Sequence, residues 1–122
     1  MSNTVKEQLL HNKLLIIQAI NYKKQGYTDI KVINTNSTQG QPIKVGNYTP
    51  DLSASLDHNT TICSIETNDS ITDIQTINKW RAFDRSGMQF HLLVPHDSFD
   101  LVKEIAKSNG ISIDKYWFSK NY

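Results

Sequence analysis

The chain has 122 residues, a formal net charge of +1, 38% hydrophobic and 20% charged residues, which suits one folded domain over 1–122 and excludes a disordered chain. So near-neutral a total neither requires nor excludes nucleic acid, because a local basic patch can sit inside it. No apolar run approaches the roughly 18 residues of a membrane span, and the start, MSNTVKEQ, lacks the basic-then-apolar pattern of a secretory signal.

Thr4-Val5-Lys6-Glu7 has the form of a capping box. Apolar residues then recur at Val5, Leu9, Leu10, Leu14, Ile16, Ile17 and Ile20, which predicts a helix over about 4–25, stopped by Gly26. Residues 28–34 read as a strand and 35–47 as a loop. Residues 48–56 alternate, with Tyr48, Pro50, Leu52, Ala54 and Leu56 on one face and Thr49, Asp51, Ser53 and Ser55 on the other. Asp57-His58-Asn59-Thr60 is turn chemistry. Residues 61–67 read as a central strand, apolar on both faces.

Ser70 to Asp73 opens a second helix, about 71–84, with Ile71, Ile74, Ile77 and Trp80 on one side. A strand over 88–94 stops at Pro95, and Asp97 caps a helix ended by Asn109-Gly110. A last strand covers about 114–118. The expected fold class is α/β: a mixed sheet flanked by helices on both faces, in the order αβββαβαβ. Cys63 is the single cysteine, which excludes an internal disulfide, argues against structural zinc and fits a reducing, cytoplasmic setting.

Two acids stand out because strands otherwise carry few charges. If 48–56 and 61–67 pair as a hairpin whose turn centres on His58-Asn59, Asp51 lies directly opposite Glu66, with Cβ atoms about 4.5–5.5 Å apart. Like charges so placed are destabilising unless something offsets them. A divalent metal does so, and two carboxylates on adjacent strands are a usual way to hold Mg²⁺. The bland alternative is a solvent-facing Asp51 and a Glu66 at an exposed strand end. A register slip of one residue would separate the two.

A strand carrying Pro50-Asp51, a turn, and an apolar strand ending in Ile65-Glu66-Thr67-Asn68 resembles the PD-(D/E)XK nuclease superfamily. The element order αβββαβ, over roughly 4–94, is similar to its restriction-endonuclease-like core. The stretches PDLSAS, ICSIETNDSI, WRAF and FHLLVP look like small uncharacterised prokaryotic members. The resemblance implies a metal-dependent nuclease acting on DNA, with Asp51, Glu66 and the Thr67 carbonyl holding Mg²⁺ or Mn²⁺. The metal would polarise a phosphodiester and lower the pKa of an attacking water.

The superfamily normally has a lysine two residues after the glutamate, to orient that water and stabilise developing charge. Here that position is Asn68, which carries no charge. Lys79 on the following helix is the first candidate to replace it, ahead of Lys31 and Lys44. Each also reads as a solvated charge. Glu7 is simplest as a capping residue and His11 as a surface histidine, although the resemblance would allow both near the metal. Lys79, Arg81, Arg85, Lys103 and Lys107 form either a phosphate-binding surface or ordinary solvated faces.

The competing reading is a catalytically inactive nuclease-fold protein that binds nucleic acid or serves as a protein-interaction subunit. Convergence of Lys31, Lys79 and Arg81 on the two acids would separate the readings. So small a domain acting on a duplex suggests a homodimer or a larger complex, with the aromatic last strand as a candidate edge.

Overall fold

The computed structural model describes residues 5–33 and 40–119. The capping box at Thr4 and the end of the expected first strand at Asn34 lie outside them. The elements are α1 (Val5–Lys24), β1 (Thr28–Val32), β2 (Leu52–Leu56), β3 (Asn59–Ile65), α2 (Ile74–Asp84), β4 (Gln89–Pro95), a 3-10 turn (His96–Ser98), α3 (Phe99–Ser108) and β5 (Lys115–Ser119). This order differs from the expected one by the 3-10 turn between β4 and α3. No helix among the described residues is long and apolar enough to cross a membrane.

The five strands form one mixed sheet in sequence order. β1–β2 and β2–β3 are antiparallel, and β3–β4 and β4–β5 are parallel. The parallel links need crossovers, and α2 and α3 supply them. Alternation along the strands divides the core in two. On one face Ile62, Phe90, Leu92 and Val94 pack with Trp80 and Phe83 of α2 and Val102 and Ala106 of α3. On the other, Leu52, Ala54, Cys63, Ile65 and Leu93 pack under Leu14, Leu15 and Tyr22 of α1. The central strands are apolar on both faces because both faces are covered.

Two helix ends are closed by glycine at positive φ. At Gly26 (φ +88°), Tyr27 N–H bonds the Tyr22 carbonyl and Gly26 N–H the Lys23 carbonyl. Gly110 (φ +66°) repeats the pattern, with Ile111 bonded to Ala106 and Gly110 to Lys107. Both are Schellman closures.

Three expectations need correction. The β2–β3 turn is the two-residue Asp57-His58, both at positive φ (52° and 70°), as a type I′ hairpin requires. The ladder accordingly pairs Leu56 with Asn59 and Leu52 with Cys63. This displaces the register by two residues from the expected one. α2 begins at Ile74, capped by Asp73, whose side chain accepts the Gln75 N–H at 2.9 Å. Ile74 is exposed and Ile71 is buried ahead of the helix. Asp97 caps nothing: it lies in the 3-10 turn, and the α3 cap position, Ser98, makes no side-chain cap bond.

Candidate active site

The corrected register moves Asp51 level with Ser64 rather than Glu66 when the ladder is continued one step. Both acids lie just outside the paired residues, Asp51 before β2 and Glu66 after β3, so they meet at the end of the sheet, where Asp51 reaches α1 and Glu66 reaches α2. The strand ends there because the side chain of Asp51 takes over the ladder: its Oδ2 accepts the Ile65 N–H at 2.7 Å. Its own carbonyl accepts the Ile33 N–H at 2.8 Å. Asp51 thus ties β1, β2 and β3 together at one end of the sheet. Its Oδ1 lies 3.0 Å from His11 Nε2 on α1.

Glu66 lies one residue past β3, where its N–H still bonds the Leu93 carbonyl of β4. This is the carboxyl end of the parallel strands, the usual place for a ligand site in open α/β sheets. Its side chain is fully buried and would be untenable there without partners. Oε2 accepts from Ser64 Oγ at 2.6 Å and Trp80 Nε1 at 2.9 Å, and Lys79 Nζ lies 3.1 Å away. Oε1 accepts from Ser70 Oγ at 2.7 Å. The helical spacing of Thr76, Trp80 and Phe83, all buried, seats α2 on the sheet and brings Lys79 beside the same carboxylate.

Burial lowers the Lys79 pKa, but the charges of Glu66 and then Asp51 outweigh it, so the ammonium is held above its ordinary value. Burial likewise pulls His11 down. Its hydrogen bond to Asp51, with the charges of Asp51 and Glu66, reverses this and leaves the imidazole raised. Glu7, Gln8, His11, Asp51, Ile65, Glu66, Thr67, Ser70 and Lys79 line one cavity of about 240 Å³. It therefore gathers Asp51, Glu66, Thr67 and Lys79, and adds Glu7 and His11 from α1.

Other candidates fall elsewhere. Asn68 is exposed and its Oδ1 accepts from Ser98 Oγ at 2.8 Å, so its side chain is held by the 3-10 turn, outside this cavity. Lys31 lies 3.9 Å from Asp29, Lys44 is exposed, and Arg81 reaches Asn78 and Asn109. Lys103 lies over the Phe99 ring, while Arg85 and Lys107 are exposed. Of the three cations expected to converge, only Lys79 does.

The donor set can be tested against a divalent ion. The Thr67 carbonyl already accepts from the Ser70 and Ile71 N–H groups, so it closes a turn and does not suit a metal. Glu66 Oε1 and Asp51 Oδ1 each take one partner among the described residues, which leaves each a lone pair. One free lone pair on each of two carboxylates lining the same cavity is a donor set of the kind Mg²⁺ accepts when water completes its shell. Among the described residues no group of three or more His, Cys, Asp or Glu is arranged to hold a metal.

Ser70 is the residue that sequence reading missed. It looks like a helix cap, but it accepts the Thr67 N–H at 2.9 Å and donates to Glu66. Its spacing, four residues after the acid and before an Asp better placed to cap, was the available signal. No family model matches the chain, and neither a curated protein nor a solved structure does.

Proposed function

We propose that the protein is a metal-dependent phosphodiesterase of the PD-(D/E)XK nuclease type acting on DNA, with its catalytic lysine supplied by α2. One observation carries the reading: Lys79 Nζ lies 3.1 Å from Glu66 Oε2, in a cavity that Asp51 also lines. A charge missing at Asn68 is thereby supplied from the next element.

Asp51 Oδ1 and Glu66 Oε1 would hold Mg²⁺ or Mn²⁺, which when bound would lower the pKa of an attacking water and polarise the phosphodiester. Lys79 stays protonated because the two carboxylates hold its pKa up. It presents a fixed positive charge where the attacked phosphate gains negative charge. It touches Oε2, so its contact survives when Oε1 serves as the ligand. His11 orients Asp51 through Oδ1. The four-donor cradle of Ser64, Ser70, Lys79 and Trp80 fixes Glu66, as a preorganised site requires.

The second reading, an inactive nuclease-fold protein that binds nucleic acid or a partner protein, is favoured by two observations: the Glu66 side chain is fully buried, and Lys31 and Arg81 lie away from the two acids. A cleavage assay on supercoiled and branched DNA with Mn²⁺ or Mg²⁺ separates the two. Wild type is expected to nick, Asp51→Ala to be inactive, and Lys79→Ala to lose about 10²–10³ in rate. Asn68→Lys should not enhance cleavage, because that position faces Ser98. Absence of cleavage by wild type sinks the catalytic reading in favour of binding alone. Full activity in Lys79→Ala shows that another group supplies the charge.

A further inference from the structure

The cavity that holds Asp51 and Lys79 adjoins a larger one of about 910 Å³, and the two share Glu7, Glu66 and Thr67. The larger cleft lies between α1 and the carboxyl ends of β3, β4 and β5. α1 contributes Lys6 and Lys13 together with Leu10, and Pro95 ends the β4 side. At the end of β5, Ser119 lines the same cleft. It is 4% exposed, and its Oγ has no hydrogen-bond partner among the described residues. A buried polar atom left unpaired in a folded protein needs an explanation, and a hydrogen bond donated to a ligand supplies one.

Size and chemistry narrow what the ligand is. The volume lies in the upper range of small-molecule sites, about 300–1,000 Å³, which admits one or two nucleotides. A duplex, which brings a second backbone and paired bases with every step, needs more room than one or two unpaired nucleotides. Two lysines on one wall suit backbone phosphates, and Leu10 and Pro95 suit the apolar surface of a base or sugar. Of the three acids that line the cleft, Glu7 and Glu66 lie at the end shared with the inner cavity, where the cleavage chemistry would occur, and Asp97 lies beside Pro95 and His96, across the cleft from the two lysines on α1.

We propose that this cleft seats the nucleotide adjoining the scissile phosphate as an unpaired single strand. Lys6 and Lys13 contact its backbone, and Ser119 Oγ bonds one of its oxygens. The inference rests on the nuclease reading and deepens it: the substrate is DNA with an unpaired segment, such as a flap, bubble or frayed branch.

The test is binding without metal, in a chelator, of a short labelled oligothymidine and of a duplex of equal length, followed by fluorescence anisotropy at several salt concentrations. Wild type is expected to bind the single strand at least about tenfold tighter than the duplex. A single-strand contact contributes about 0.7 to the slope of log K against log salt. The double variant Lys6→Ala, Lys13→Ala should therefore flatten the slope by about 1.4. Ser119→Val should weaken single-strand binding several-fold without lowering the melting temperature, because it removes an unpaired buried hydroxyl. A structural role alone would not give that split. Equal affinity for the duplex, an unchanged salt slope, or unchanged binding by Ser119→Val overturns the proposal. Tight single-strand binding without Mn²⁺-dependent cleavage would leave this cleft standing and remove the catalytic reading. Cleavage of intact duplex without single-strand preference would do the reverse.

Discussion

Replacing Lys79 by methionine keeps most of the side-chain volume and removes one charge beside a carboxylate with no solvent exposure. At 3.1 Å and an effective dielectric constant of about 20, the gross attraction is about 5 kcal/mol. Desolvation of the lysine offsets part of it. Breaking a buried pair by deleting one partner costs about 3–5 kcal/mol, since the other charge is left behind. The lower end applies here, because Ser64, Ser70 and Trp80 still donate to Glu66. Lys79→Met should thus cost about 3 kcal/mol, or about 12 °C in melting temperature at about 4 °C per kcal/mol for a chain of this size.

Glu66→Gln should cost a similar amount, since it strands the ammonium instead. The double variant strands neither charge and should lose about 3 kcal/mol rather than about 6, a coupling of about 3 kcal/mol. Urea unfolding of all four proteins, with unchanged m-values, measures this directly. Additive single effects, within about 0.5 kcal/mol, would show that the two groups do not interact in the folded protein. The cradle around Glu66 would then lose its electrostatic basis.

The remaining expectations concern other parts of the fold. His91 is buried with Nδ1 2.7 Å from the Tyr22 hydroxyl and 3.1 Å from Trp117 Nε1. Indole N–H can only donate, so Nδ1 is an acceptor. Burial, assisted by Lys115, brings the pKa of His91 down to about 4 from 6.5. The unfolded chain therefore binds the proton first. Stability from the neutral ring is present above about pH 6.5 and lost as pH falls toward about 4, by roughly 3 kcal/mol in all. Urea melts at about pH 7 and about pH 5 should show wild type losing about 2 kcal/mol more than His91→Gln; equal losses would refute it. Gly110→Ala, at φ +66°, should lower stability by about 1 kcal/mol, read as a melting shift, and no shift would mean that the Schellman closure is not formed. Burial pushes the Cys63 thiol up to about 12, so a thiol reagent should label it only after denaturant is added.

Much of the architecture was legible because it follows from short-range chemistry. Gly26 and Gly110 end helices through their access to positive φ, and both stops were readable where they occur. The alternation of Leu52 and Ala54 against Ser53 marked a strand with two unlike faces. The misreadings have one physical source: local signals compete, and tertiary contacts choose among them. Ser70 and Asp73 are both good caps, and Ser70 is taken by Glu66 and Thr67, which leaves Asp73 to start α2. Asp57, His58 and Asn59 all tolerate turns. The two-residue turn matches strand twist better than a wider one, so the hairpin closes at Asp57-His58 and the register moves by two.

That shift decides what could be read of the site. Asp51 and Glu66 both fall just outside the ladder, so they meet at the end of the sheet between α1 and α2. That the hairpin brings the two carboxylates to one end was legible from the sequence, while their direct opposition was not. Separate sets of donors explain how two acids share a site without mutual repulsion dominating. Asp51 turns toward the Ile65 N–H and His11, and Glu66 turns toward Lys79, Trp80 and the serines, so each carboxylate has its own donors. The identity of those donors could not be read from spacing alone, because Ser70 and Lys79 reach Glu66 only once Trp80 is buried and α2 is seated on the sheet. The position of the Lys79 charge thus depends on the packing of α2. Asn68, two residues past Glu66, lies in the turn after β3, where it bonds Ser98 and holds the 3-10 turn.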